Sequence, residues 1–257
     1  MKQQLFNELV LEEQRPFSKW DFSYLKETQR MIQFPLIWKF SQVIKPYLRD
    51  GECLVEMNRL DETDWASFTS LSKRTVALET KQTDLVETKQ RLNSLGVSVV
   101  SVDEGALLPF ENETFDVMIN RNQRFQVDEV SRVLRENGYF ITQQIGGLSN
   151  GELNVWLNVE PTSYSNWRLQ VALEQLRESG FTIIEAKEDI SKTRFYDIGA
   201  IVYYLKTMTE QIPDFSVEKY FDRLVTMKKV MDEEGHLDVT RHRFLIVAQK
   251  KTNENME

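Results

Sequence analysis

Between Cys53 and Thr142 the chain alternates short, continuous apolar runs with polar stretches of helical spacing, and few folds accept that alternation. The runs are Cys53-Leu54-Val55, Thr75-Val76-Ala77-Leu78, Val97-Ser98-Val99-Val100, Phe115-Asp116-Val117-Met118-Ile119 and Tyr139-Phe140-Ile141-Thr142. Each is strand-sized and apolar enough to be covered on both faces. Between the second and third runs, Leu85, Val86 and Leu92 lie on one side of a polar segment from Gln82 to Leu95, with Gly96 as a stop signal. Between the fourth and fifth, Val127, Val130 and Leu134 share a helical face, with Asp128 and Glu129 in its first turn and Gly138 just beyond. Strands that alternate with helices and are buried on both faces imply a mostly parallel sheet with helices on either side. The predicted fold is therefore α/β, doubly wound and Rossmann-like.

The flanks are more helical. From Tyr24 to Leu48 the residues Leu25, Met31, Ile32, Leu36, Ile37, Phe40, Ile44 and Leu48 recur at helical spacing, with Pro35 marking a kink or a join. Beyond the alternating region, the spacing predicts a helix over 166–179, a strand over 181–185, a strand or strand-helix junction over 195–205, a helix capped by Ser216, and a last strand over 243–248. The expected organisation is an N-terminal helical cap over 1–49, one α/β domain over 50–250 and a polar tail over 251–257. Within the domain, 148–167 carries Trp156, Tyr164 and Trp167. That segment is either a lid or acceptor-recognition insert, or aromatic residues packing an insert onto the core.

Composition removes several function classes. The 257 residues carry 28% charged side chains and a net charge of −8, and the pI near 5.1 speaks against a broad basic surface for nucleic acid. No apolar run approaches the ~18 residues of a spanning helix, and the first thirteen residues lack the features of a secretory signal. A cytoplasmic protein without membrane contact is expected. Cys53 is the single cysteine and reads as a packing residue; His236 and His242 have neither cysteine partners nor close spacing, so no metal site is expected. There is no Gly-x-Ser-x-Gly elbow and no Walker loop.

The segment Asp103-Glu104-Gly105-Ala106-Leu107-Leu108-Pro109-Phe110-Glu111-Asn112-Glu113-Thr114-Phe115-Asp116-Val117 resembles the region between the third and fourth strands of class I S-adenosylmethionine-dependent methyltransferases, particularly the bacterial type 11 group. That family carries an acid after strand three, a Leu-Pro-Phe turn, and Phe-Asp-Val opening strand four. The stretch Val133-Leu134-Arg135-Glu136-Asn137-Gly138-Tyr139-Phe140-Ile141 is similar to its approach to strand five. The resemblance covers roughly 51–147 well and reaches more loosely to Lys250. It implies S-adenosylmethionine as cofactor, with Glu56 as the acid ending strand one and Glu79 as the acid that accepts from the ribose hydroxyls. It also places Asp103, beside Glu104, near the adenine amino group, and Asn120 near the sulfonium and the acceptor. The signature Asn/Asp-Pro-Pro-aromatic of the family's amino-methylating branch is replaced by Asn120-Arg121-Asn122-Gln123, which argues against methylation of adenine by that route.

One motif departs from the family. After Glu56 the glycine-rich turn is replaced by Met57-Asn58-Arg59-Leu60-Asp61-Glu62, and no glycine occurs from Glu52 to Leu95. Asn58 tolerates a left-handed backbone and stands as a cofactor-binding candidate, but Leu60 and Glu62 bring side chains where backbone should approach the ligand. Asp61, Glu62 and Asp64 add negative charge near a carboxylate ligand. Three readings stay open. One is a methyltransferase acting on an unknown acceptor, with a small molecule favoured over nucleic acid or protein on charge grounds. A second is a non-catalytic relative used as a binding or regulatory module, and a third is a nucleotide-binding enzyme, which would need the same glycines.

Overall fold

A computed structural model describes residues 2–48, 52–57, 72–80, 85–103 and 106–252. Its elements in chain order begin with α1 (Lys2–Gln14), α2 (Ser23–Glu27), β1 (Met31–Gln33) and α3 (Phe40–Ile44). The alternating region follows as β2 (Glu52–Glu56), β3 (Ser72–Glu79), α4 (Leu85–Asn93), β4 (Val97–Ser101), β5 (Phe115–Arg121), α5 (Val127–Val133) and β6 (Leu134–Ile145). The chain continues as α6 (Gly151–Leu157), α7 (Leu169–Glu178), β7 (Phe181–Phe195), α8 (Ile198–Thr207), α9 (Val217–Glu234) and β8 (Leu237–Lys250).

Two compact units share this chain. The first comprises Met1–Leu36, Gly146–Trp167 and Asp189–His242, and the second Ile37–Ile145, Arg168–Glu188 and Arg243–Glu257. In the second unit the strands lie in the order β7-β8-β6-β5-β2-β3-β4. β2 is parallel to β3 and to β5, β3 to β4, and β5 to β6, while β8 runs antiparallel to β6. The chain steps outward from β2 through β3 to β4 and then returns to the other side of β2 as β5. The gap between β2 and β5 is therefore the topological switch point, where ligands bind outside the carboxyl ends of the strands. Leu54, Val55, Val76, Val117, Met118, Ile119, Phe140 and Ile141 are all buried, as residues of central parallel strands must be.

The first unit is organised around α8, which is buried along nearly its whole length. Leu9 of α1, Leu25 of α2, Leu224 and Met227 of α9, and Phe195 pack in the same core. α8 and α9 start where short polar side chains satisfy an N–H of the first turn: the Asp197 carboxylate accepts from Ala200 N at 2.8 Å, and Ser216 Oγ accepts from Lys219 N at 3.1 Å. Gly235 ends α9 at φ 77°, a left-handed geometry that favours glycine.

Local spacing misassigned two places. Met31–Gln33 was expected within a helix but pairs as β1, antiparallel to Thr193–Phe195; Pro35 already biases Phe34 away from the helical region. β6 begins at Leu134 rather than Tyr139, because Asn137 at φ 62° and a register shift opposite Phe115–Val117 carry the strand through Gly138. Over 195–205 the expected strand-helix junction is found, as the end of β7 followed by the capped helix α8. Among the described residues no helix is long and apolar enough to cross a membrane.

Candidate functional site

The carboxyl ends of β2, β3 and β5 bring three of the expected residues together by strand register. Glu56 closes β2 opposite Ile119, Met57 N donates to Ile119 O at 2.9 Å, and Asn120 is the next residue of β5. Asn120 Nδ2 donates to Met57 Sδ at 3.5 Å, a weak acceptor. Glu79 closes β3 two residues beyond Ala77, the partner of Glu56. Glu56, Glu79 and Asn120 are 1%, 5% and 0% exposed. Burying carboxylates is costly unless they are hydrogen-bonded or serve a ligand, and Glu79 Oε2 accepts from the hydroxyl of Thr88 on α4 at 2.9 Å.

Asp103 follows β4 and is exposed; its carbonyl accepts from Ala106 N at 3.1 Å. Asn58 and Glu104, also expected at the cofactor, lie outside the described residues, as does most of the turn after β2. Asn122, at φ 61°, donates its N–H to Gln143 O at 2.7 Å and ends the β5–β6 ladder just past the site.

The orientation of Asn120 comes from β6, which sequence reasoning did not single out. Register places Thr142 directly beside Asn120. Thr142 Oγ1 donates to Asn120 Oδ1 at 3.1 Å and Gln144 Nε2 donates to the same oxygen at 2.6 Å. With its carbonyl oxygen held twice, the Asn120 amide can present only its NH2 toward Met57. On the alternate face of β6, Gln143 Oε1 accepts from the indole of Trp38 at 2.9 Å. The signal was present: Thr142-Gln143-Gln144 is a polar run that closes an otherwise apolar strand at the ligand end of a parallel sheet.

The Leu-Pro-Phe turn is secured from α5. Leu108 N donates to Glu129 Oε2 at 2.8 Å, while Arg132 donates to Leu108 O at 2.9 Å and to Phe110 O at 2.6 Å. Arg132 also clasps Glu129 at 2.7 and 2.8 Å. That hydrogen bond holds the Glu129 carboxyl below its usual range, against the opposing effect of burial. At the opposite end of the sheet, Asp116 accepts from Cys53 N at 2.8 Å and from Arg135 at 2.7 and 2.8 Å. It joins the starts of β2 and β6 rather than serving chemistry. Among the described residues no group of three or more His, Cys, Asp or Glu side chains is arranged to hold a metal ion.

No family model and no curated protein matches this sequence. Solved structures do match its fold. A Bacillus halodurans C-125 protein assigned as a methyltransferase is 18% identical and superposes with a TM-score of 0.59, the match covering 83% of this chain and 99% of that one. The YcgJ protein of Bacillus subtilis is 14% identical with a TM-score of 0.54, covering 83% and 98%. A Deinococcus radiodurans R1 protein of unknown function is 12% identical with a TM-score of 0.58, covering 90% and 100%. With β2 and β5 flanking the switch point and β8 antiparallel beside β6, this chain has the Rossmann-like fold of the class I S-adenosylmethionine-dependent methyltransferases.

Proposed function

We propose that the protein binds S-adenosylmethionine at the carboxyl ends of β2, β3 and β5 and transfers its methyl group to a small-molecule acceptor. The observation that carries this reading is Glu79, a buried carboxylate at the end of a parallel strand beside the switch point that accepts a hydroxyl hydrogen bond. Accepting hydroxyls is the chemistry a ribose diol requires. Glu79 would hold the ribose, Asp103 would accept from the adenine amino group, and Asn120 would direct its NH2 toward the sulfur end of the ligand. When bound, the cofactor supplies an electrophilic methyl group. The chain would contribute orientation and exclusion of water, which account for much of the acceleration in such transfers.

A second reading is favoured by one observation, the absence of glycine from Glu52 to Leu95. A turn with side chains at Asn58, Leu60 and Glu62 suits a methyltransferase fold kept as a binding or regulatory module. Thermal unfolding with S-adenosylmethionine and S-adenosylhomocysteine separates the two, because a ligand at 100 times its Kd adds about 2.7 kcal/mol of stability. The first reading expects a saturable shift that Glu79→Ala abolishes. No shift at millimolar ligand, in wild type and in a variant carrying glycine at 58, 60 and 62, would leave the module reading standing.

A further inference from the structure

The outer edge of β7 is long and regular, and among the described residues no strand runs beside most of it. Among the described residues β1 pairs only with Thr193–Phe195, and no described strand lies beside the edge from Phe181 to Ser191. Natural edges are usually shortened, bulged or interrupted by proline. This one alternates strictly, with Thr182, Ile184, Ala186, Glu188 and Ile190 exposed on one face and Ile183, Glu185 and Lys187 half-buried on the other. It contains neither proline nor glycine, and Ile184 is 47% exposed.

The polarity of the edge follows from its one paired end. Phe34 N donates to Lys192 O, so even-numbered residues turn their N–H and C=O outward. The unbroken alternation carries this back to Ala186. A two-fold axis through Ala186 would then set Ala186 against Ala186 of a second copy as a hydrogen-bonded antiparallel pair, with Ile184 opposite Glu188 on either side. The same register places Glu185 opposite Lys187 twice, once on each side of the axis. These two side chains already form an ion pair within one chain, so pairing would join them into an alternating quartet. Shifting the axis by one residue to Lys187 would instead oppose Lys187 to Lys187 and Glu185 to Asp189, which like-charge repulsion disfavours.

We propose that the second unit dimerises with another copy of this chain through antiparallel pairing of β7 edges centred on Ala186, in the register set by Glu185 and Lys187. The charges that guard the edge against other strands make it complementary to itself.

Sedimentation velocity over a range of concentrations tests this on the full chain. The wild type should sediment as a concentration-dependent dimer. Ala186→Pro removes the outward N–H at the axis and should give a monomer with an unchanged far-UV spectrum, since proline is tolerated on a free edge. Glu185→Lys and Lys187→Glu should each weaken the dimer about tenfold, and the double exchange should recover wild-type affinity. A monomeric wild type at every concentration would overturn the proposal. A dimer indifferent to both charge reversals would overturn it equally.

Discussion

The imidazole of His242 occupies the space that a side chain on Gly146 would need, since a β-carbon built there would fall 2.0 Å from His242 Nδ1. Gly146 and Gly147 stand side by side after β6. Steric demand explains both residues: a β-carbon on Gly147 would meet Tyr164 O at 2.3 Å. His242 is 1% exposed, and its Nδ1 accepts from Leu148 N at 3.4 Å, so the ring has little room to retreat. Gly146→Ala should cost about 3 kcal/mol in urea unfolding, and a second change, His242→Ala, should recover part of that loss. An equal cost in the two backgrounds would mean that the imidazole is not the obstacle.

Asn120 and Gln144 should behave as a coupled pair. Gln144→Leu removes the 2.6 Å donor to Asn120 Oδ1 and leaves a buried carbonyl oxygen with Thr142 alone. Loss of such a partner costs about 1–3 kcal/mol. In a double-mutant cycle with Asn120→Ala, the two effects should fall short of additive by at least about 0.5 kcal/mol. If S-adenosylmethionine binds as proposed, the same variant should need more ligand to reach half its thermal shift. Strict additivity would detach the two side chains.

The clasp of α5 on the Leu-Pro-Phe turn predicts a local effect. Glu129→Gln weakens the acceptor of Leu108 N and discharges the partner of Arg132, which should lower stability by about 2 kcal/mol, the scale of a charge-assisted hydrogen bond. Hydrogen exchange at Leu108 and Phe110 should accelerate more than at Ile119 in β5. Uniform acceleration would indicate global destabilisation instead.

Acid should act through Asp238. Its hydrogen bonds from Arg194, at 2.7 and 2.9 Å, and then Lys192 bring its carboxyl down to about 2, against burial. A carboxyl depressed in the folded state contributes stability that is complete above its unfolded value of about 4 and is lost as pH falls toward about 2. Asp238→Asn should therefore reduce stability at pH 7 and flatten the fall between pH 4 and pH 2 in a chemical denaturation series. An unchanged slope would assign acid sensitivity to other carboxylates.

Sequence alone was sufficient for the parallel core, because buried parallel strands need apolar side chains on both faces and leave continuous runs such as Val117-Met118-Ile119. It also marked Ser216 as a cap, since a helix start depends on one side chain reaching a neighbouring N–H. It placed Glu56, Glu79 and Asn120 at strand ends, where the order of elements puts a ligand site. The roles of Thr142 and Gln144 depend on β5–β6 register, which sets Asn120 beside Thr142 through residues distant in sequence. For the same reason Met31–Gln33, helical by spacing, becomes a strand only because Thr193–Phe195 offers it a ladder, and the demand for glycine at 146 arises only when His242 is brought against it. Propensity and periodicity act within a few residues of the chain, whereas register and close packing arise only when remote segments meet.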